Sequence, residues 1–193
     1  MSENNLHKEQ AVLEVLEKAF VGMSGEVKRE RRVNVNIDKE SLPGALLLAK
    51  EQLHFEHFSH MSCVDWIEDN QFELVYILWA PEDKIQLLVK CRIDRENPII
   101  QNIDYIWRQA NTYEREIREM YGVEFEGLVG EKEFILEDWN DMPPMRRDFD
   151  TKDYVDDHFF DRPGREDAKD VRTVITERSG EEIPDFAKKY TRD

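Results

Sequence analysis

Between positions 9 and 21 apolar residues return at helical spacing. Val12, Val15, Leu16, Ala19 and Phe20 share one face, and Gly22 follows as a stop signal, so a first amphipathic helix is expected. The period then changes. Arg32-Val33-Asn34-Val35-Asn36-Ile37 alternates polar and apolar residues strictly, which predicts a strand with one buried face. Leu42 to Leu53 is rich in Ala and Leu, with Ser41 placed as an N-cap and Pro43 in the first turn, and reads as a second helix. Three apolar, aromatic or β-branched runs follow, Met61–Trp66, Phe72–Trp79 and Ile85–Ile93. They are separated by Glu68-Asp69-Asn70 and Pro81-Glu82-Asp83, connections short enough to predict an antiparallel meander. From Ile103 to Tyr121 the helical period returns, with Ile103, Ile106, Trp107, Ala110, Ile117 and Tyr121 on one side and Gly122 placed as the C-cap glycine.

These elements predict an α+β fold: one mainly antiparallel sheet with helices packed on one face, followed by an extended C-terminal arm. Residues 1–26 are assigned to an N-terminal helix, 27–150 to the α+β domain and 151–193 to the arm. After Gly127 the pattern weakens. Phe134-Ile135-Leu136 is expected as a short strand, and Asp138-Trp139-Asn140-Asp141-Met142-Pro143-Pro144 as a turn-rich connection to Arg146-Arg147-Asp148-Phe149. The 44 residues from Asp150 to Asp193 carry 13 acids and 9 bases and cannot build a core of their own. Tyr154, Phe159, Phe160, Val171, Val174, Ile175, Phe186 and Tyr190 nevertheless recur along them, so this arm is expected to become ordered against a partner surface.

Charge narrows the functional classes. Of the 193 residues, 43 are acidic and 27 basic, giving a net charge of -16, which argues against nucleic acid or an anionic membrane as the partner. The short basic run Lys28-Arg29-Glu30-Arg31-Arg32 is interrupted by a carboxylate. No stretch approaches the length of about 20 apolar residues that spans a bilayer. The acidic start Met1-Ser2-Glu3-Asn4-Asn5 does not resemble a leader peptide, so a cytosol-side location is expected. Cys63 and Cys91 form no CxxC pair and encode no thiolate cage for zinc or an iron-sulfur cluster.

Candidate chemistry is sparse. His54, His57 and His60 recur every third residue, but this spacing crosses a helix-to-strand boundary that splays the rings; partly exposed polar residues flanking Phe55 and Phe58 is the favoured reading. The chain lacks HExxH, GxSxG, GxGxxG and GxxxxGK patterns. Glu114 falls inside the apolar stripe of the long helix, whereas Arg108, Arg115, Glu116 and Glu119 face away. Glu114 and Glu116 diverge and cannot flank one substrate atom. An ionised carboxylate in that stripe needs a partner, and Arg146 or Arg147 is the expected guanidinium.

Tyr113-Glu114-Arg115-Glu116, then Met120-Tyr121-Gly122-Val123, Phe125, Gly127, Leu136, Asp138-Trp139 and Pro144-Met145-Arg146-Arg147-Asp148-Phe149 form an ordered combination. With Val64-Asp65-Trp66, the Phe72–Trp79 strand and Ile106-Trp107-Arg108-Gln109-Ala110-Asn111 upstream, it resembles the 30-kDa (C) subunit family of NADH:quinone oxidoreductase, respiratory complex I, over about residues 27 to 150. The resemblance implies a non-catalytic α+β subunit that binds no cofactor or metal itself. It braces the 49-kDa (D)-type large subunit, with a small iron-sulfur subunit nearby, in the peripheral arm on the cytoplasmic face of a prokaryotic membrane. Iron-sulfur clusters, and quinone or nickel-iron, then belong to partner subunits. It further implies that Trp107, Glu114, Arg115, Glu116, Tyr121, Gly122, Gly127, Asp138, Trp139, Arg146, Arg147 and Asp148 are structural or interface residues.

After Gly127 the chain departs from the family. Leu128-Val129-Gly130 and Glu131-Lys132-Glu133-Phe134 replace the usual His-Pro and basic pair. Relatives also occur in membrane-bound hydrogenases, ferredoxin-dependent sulfur-reducing complexes and F420 dehydrogenases, so the altered loop leaves the electron donor and acceptor open. Two readings from other classes stand beside this one, a free-standing acidic enzyme and an adaptor docking on an electron carrier.

Overall fold

In the computed structural model, residues 6–130 and 133–158 are described. The chain divides into two compact units, Met1–Phe149 and Asp150–Asp193. In the first, helix α1 (His7–Ala19) leads into the hairpin β1 (Ser24–Arg29) and β2 (Arg32–Asn36), and α2 (Leu42–Glu51) follows. Strands β3 (His57–Trp66), β4 (Gln71–Ala80) and β5 (Ile85–Asp94) come next, with one short helical turn, Ile67–Asp69, between β3 and β4. Strand β6 (Ile99–Gln101), helix α3 (Ala110–Tyr121) and strand β7 (Glu124–Glu126) complete the regular elements of this unit. In the second unit Thr151–His158 forms helix α4, and the remainder of the expected arm, 159–193, lies outside the described residues.

The main sheet has the order β1-β2-β5-β4-β3. The expected meander is present as antiparallel pairs β3–β4 and β4–β5, and β1–β2 is also antiparallel; β2 and β5 run parallel, with Val33 opposite Leu87 and Val35 opposite Val89. A parallel pair requires a long crossover, and α2, β3 and β4 supply it. Strand β1 was not expected, because its sequence Ser-Gly-Glu-Val-Lys-Arg lacks clean alternation. It is held instead by pairing with β2 and by α1, whose Leu13 side chain lies against Gly25.

Alternation along the strands sends Val33, Val35, Met61, Leu74, Tyr76, Leu78, Leu87 and Val89 to one face, each at most 2 % exposed. Helices α1, α2 and α3 pack on that side with Leu16, Leu42, Leu46 and Ile117. Burying a side chain of this size stabilises the fold by about 1.5–3 kcal/mol, and the continuous cluster positions everything that follows.

Helix α3 begins later than the periodicity suggested. Residues 103–109 form turns, with Ile106 and Trp107 N–H groups both donating to the Ile103 carbonyl, and the helix proper starts at Ala110. The side chains of Trp107 and Gln109 donate to the carbonyls of Glu56 and Phe58 at the start of β3, fixing this segment to the sheet rather than to a helix axis. At the other end Gly122 adopts φ 80° and donates to the Arg118 carbonyl, the expected left-handed cap.

Candidate interaction site

The site is where the segment after α3 folds back onto the strand ends. Asp65 occupies the buried register of β3, two positions beyond Cys63 and four beyond Met61. A carboxylate in that register demands a cation, and Arg95, just after β5, provides it through a two-pronged contact, Nε to Oδ1 at 2.8 Å and Nη2 to Oδ2 at 3.0 Å. Both side chains are nearly sealed from water, at 2 % and 6 % exposure. The second face of this pair receives the Pro144–Phe149 segment. The Asp148 carboxylate accepts from Arg95 Nη2 at 2.6 Å, and the Arg147 backbone N–H donates to Asp65 Oδ2 at 2.9 Å. On the surface the Arg147 guanidinium grips Glu68 at 2.7 and 2.8 Å. Guanidinium carbons of Arg95 and Arg146 each lie 5.6 Å from the Phe72 ring, which meets Tyr121 edge-on.

The electrostatics follow from this geometry. Burial alone would raise the Asp65 carboxyl, but the Arg95 guanidinium and the Arg147 N–H outweigh it and hold it below its ordinary value. Arg95 likewise holds Asp148 low.

A second anchor lies on α3. Glu119, expected to face away into solvent, accepts from the backbone N–H groups of Phe134, Ile135 and Leu136 at 2.7, 2.9 and 3.2 Å. That is why the expected strand at 134–136 does not form: its donors serve one carboxylate instead of a neighbouring strand. Arg115 reinforces the loop by donating to the Glu133 carbonyl and stacking over Phe134. Trp139 donates to the Met142 carbonyl and packs beside Phe149, with Asp138 in the left-handed region at φ 54°. So pinned, the segment turns Val129, Ile135, Met142 and Met145 toward solvent, at 39 to 77 % exposure.

The structure corrects the expected partner of Glu114. The residue is fully buried, as its place in the stripe implied, but neither Arg146 nor Arg147 reaches it. Its Oε1 accepts from the Ile103 N–H at 2.7 Å, and its Oε2 has no hydrogen-bond partner in the protein. The Arg146 and Arg147 guanidinium groups lie instead on Asp148 and Glu68, where their charge is matched. Left with one N–H, Glu114 is pushed up to about 7, chiefly by burial. The nearby Tyr76 hydroxyl is also buried without a protein partner and is raised well above its usual value by burial, then by Cys91 and by the Glu114 charge.

The remaining candidates are structural in their contacts. Trp107 is buried and stacks on Phe58 at 5.4 Å. Gly127 adopts φ 85° beside Asn102, and Glu116 is exposed. His54, His57 and His60 are all exposed, flanking the buried Phe55 and Phe58, and His60 meets the Tyr113 ring edge-on. Among the described residues no group of three or more His, Cys, Asp or Glu side chains is arranged to hold a metal. Both cysteines are free and buried, and burial pushes the thiols up, Cys91 to about 12. No helix among the described residues is long and apolar enough to cross a membrane.

Residues 35–155 match the family described as respiratory-chain NADH dehydrogenase, 30 Kd subunit. The chain belongs to that family. It is 30 % identical over 122 residues to the C-type subunit of F(420)H(2) dehydrogenase from Methanosarcina mazei, covering 62 % of this chain and 76 % of the relative. It is 32 % identical over 131 residues to the C/D-type subunit of NADH-quinone oxidoreductase from a Hydrogenobaculum species, covering 67 % of this chain and 22 % of that longer one. Among solved structures it resembles a chain of the membrane-bound sulfane sulfur reductase, an archaeal respiratory membrane complex, with TM-score 0.70 and 30 % identity, covering 81 % of this chain and 97 % of the other. The 30-kDa family thus has an α+β fold here, with the signature Pro144–Phe149 serving as an internal tie.

Proposed function

We propose that this 30-kDa-family chain is a non-catalytic structural subunit of the peripheral arm of a complex I-like, ion-translocating oxidoreductase. It braces a 49-kDa (D)-type large subunit, with a small iron-sulfur subunit nearby, on the cytoplasmic face of a prokaryotic membrane. One observation carries this reading: two internal anchors, Asp65–Arg95–Asp148 and Glu119, immobilise a loop whose Ile135, Met142 and Met145 face solvent. A loop ordered at this cost while displaying apolar side chains is suited to a partner's surface. A relative whose single chain carries the double designation C/D supports a D-type neighbour.

On this reading the chain itself holds neither cofactor nor metal, and iron-sulfur clusters, with quinone or nickel-iron, reside in partner subunits. The relatives named for F(420)H(2) and for sulfane sulfur favour a second form of the proposal, in which the same bracing role serves a complex with a donor other than NADH.

The test is purification of the tagged chain from native membranes, comparing wild type with Met142→Asp/Met145→Asp. The variant is expected to fold with an unchanged melting temperature and to lose the large subunit from the preparation. Recovery of the full assembly would place the interface elsewhere.

A further inference from the structure

Among the described residues, the helices pack mainly on one face of the five-stranded sheet. The register defines the other. One row crosses it as His57, Trp79, Gln86, Arg32 and Arg29; the next as His60, Ile77, Leu88, Asn34 and Glu26; the next as Ser62, Val75, Lys90, Asn36 and Ser24. Among the described elements only α3 touches these rows, at the β3 edge, where Tyr113 meets His60. Their centre is apolar: the half-buried Ile77 and Leu88 stand directly opposite each other, with Trp79 beside them on β4 and Val64, 38 % exposed, on β3, whereas Val75 is buried.

One end of this face is cationic, against the sign of the whole chain. Along the flank the charges are matched: Lys90 and Arg92 both meet Glu73, at 3.1 and 3.3 Å, and Arg92 also meets Asp69 at 3.0 Å. At the end of the sheet the two hairpin turns enclose a surface hollow lined by Arg29, Arg31, Arg32, Lys84, Trp79 and Gln86, with Glu30 as its one acid. The basic run noted in the sequence is thus gathered with Lys84 around an aromatic ring. In a chain of net charge -16 this is where positive charge collects.

We infer that the open sheet face is a second docking surface, for an acidic amphipathic segment of another polypeptide. Its apolar side chains lie over Ile77, Leu88 and Trp79, and its carboxylates enter the Arg29–Arg32–Lys84 hollow. The charge balance selects this occupant. A second copy would set cations against cations. Residues 159–193 of the same chain carry 9 acids and 8 bases and offer no such complementarity. The surface is distinct from the Ile135–Met145 loop, so it does not depend on the bracing assignment.

The experiment places p-benzoylphenylalanine at Ile77 in the full-length chain, irradiates the assembly in native membranes, and identifies the cross-linked peptide. Arg108, exposed before α3, serves as the control position. The expected product is a peptide of another subunit with an excess of Asp and Glu, formed from position 77 and not from 108. Its yield is expected to fall about ten-fold with Arg29→Glu/Lys84→Glu, two exposed changes that leave the melting temperature unaltered. Attachment to a second copy, to residues 159–193, or to a peptide without acidic excess would overturn the inference, as would no product above the control. Loss of the large subunit from the Met142→Asp/Met145→Asp variant, with the position-77 product retained, separates the two surfaces.

Discussion

Glu114→Gln isolates the energetic role of the buried carboxylate. The folded-state value near 7 compares with 4.5 for an unburied glutamate, a difference worth about 3 kcal/mol. Because the folded value is raised, the folded state binds the proton more tightly than the unfolded one. The associated stability is therefore fully present below about pH 4.5 and is lost as pH rises through about 7. Glutamine keeps the Oε1 acceptor for the Ile103 N–H and cannot ionise. Its advantage over wild type is expected to be near zero at pH 5 and to grow by roughly 2–3 kcal/mol by pH 8.5, about 5–10 °C in melting temperature for a chain of this size. Urea or thermal unfolding of both proteins across that range, monitored by circular dichroism, measures it. Parallel stability profiles would refute the reasoning, because they would mean the carboxylate is solvated or paired after all. Glu114→Ala also orphans the Ile103 N–H and is expected to cost about 2–4 kcal/mol at pH 5, a deficit that shrinks by the same 2–3 kcal/mol toward pH 8.5 as the wild-type carboxylate ionises.

Arg95→Met leaves Asp65 buried without its cation and is expected to cost about 3–5 kcal/mol by chemical denaturation, with much of the loss recovered in Arg95→Met/Asp65→Asn. The lowered Asp65 and Asp148 values put the stability of that cluster above the ordinary carboxylate range, to be lost as pH falls below about 4; acid unfolding of wild type and Asp148→Asn tests the sign. Glu119→Ala frees three backbone N–H groups, and hydrogen exchange at 134–136 is expected to accelerate at least ten-fold while α3 exchanges as before. Gly122→Ala forces a side chain into φ 80° against Pro143 Cγ at 3.2 Å, and a loss of about 1 kcal/mol or more is expected on thermal melting.

Local periodicity in the sequence determined most of the frame: α1, α2, the β3–β4–β5 meander, the Gly122 cap and the burial of Glu114 all follow from neighbours within a few residues. Tertiary structure decided what depends on partners far along the chain. The parallel β2–β5 pairing joins segments 54 positions apart, and β1 exists only because β2 and α1 hold it. Arg147 pairs with Glu68 and Arg95 with Asp148, choices that charge counting along the sequence cannot make because any nearby carboxylate is eligible until the backbone sets distances. Residues 134–136 have strand composition yet donate to Glu119, because a hydrogen-bond donor takes the acceptor the fold brings to it. A side chain's tendency to be buried is written in its own neighbourhood, whereas its partner is fixed only when the whole chain closes around it.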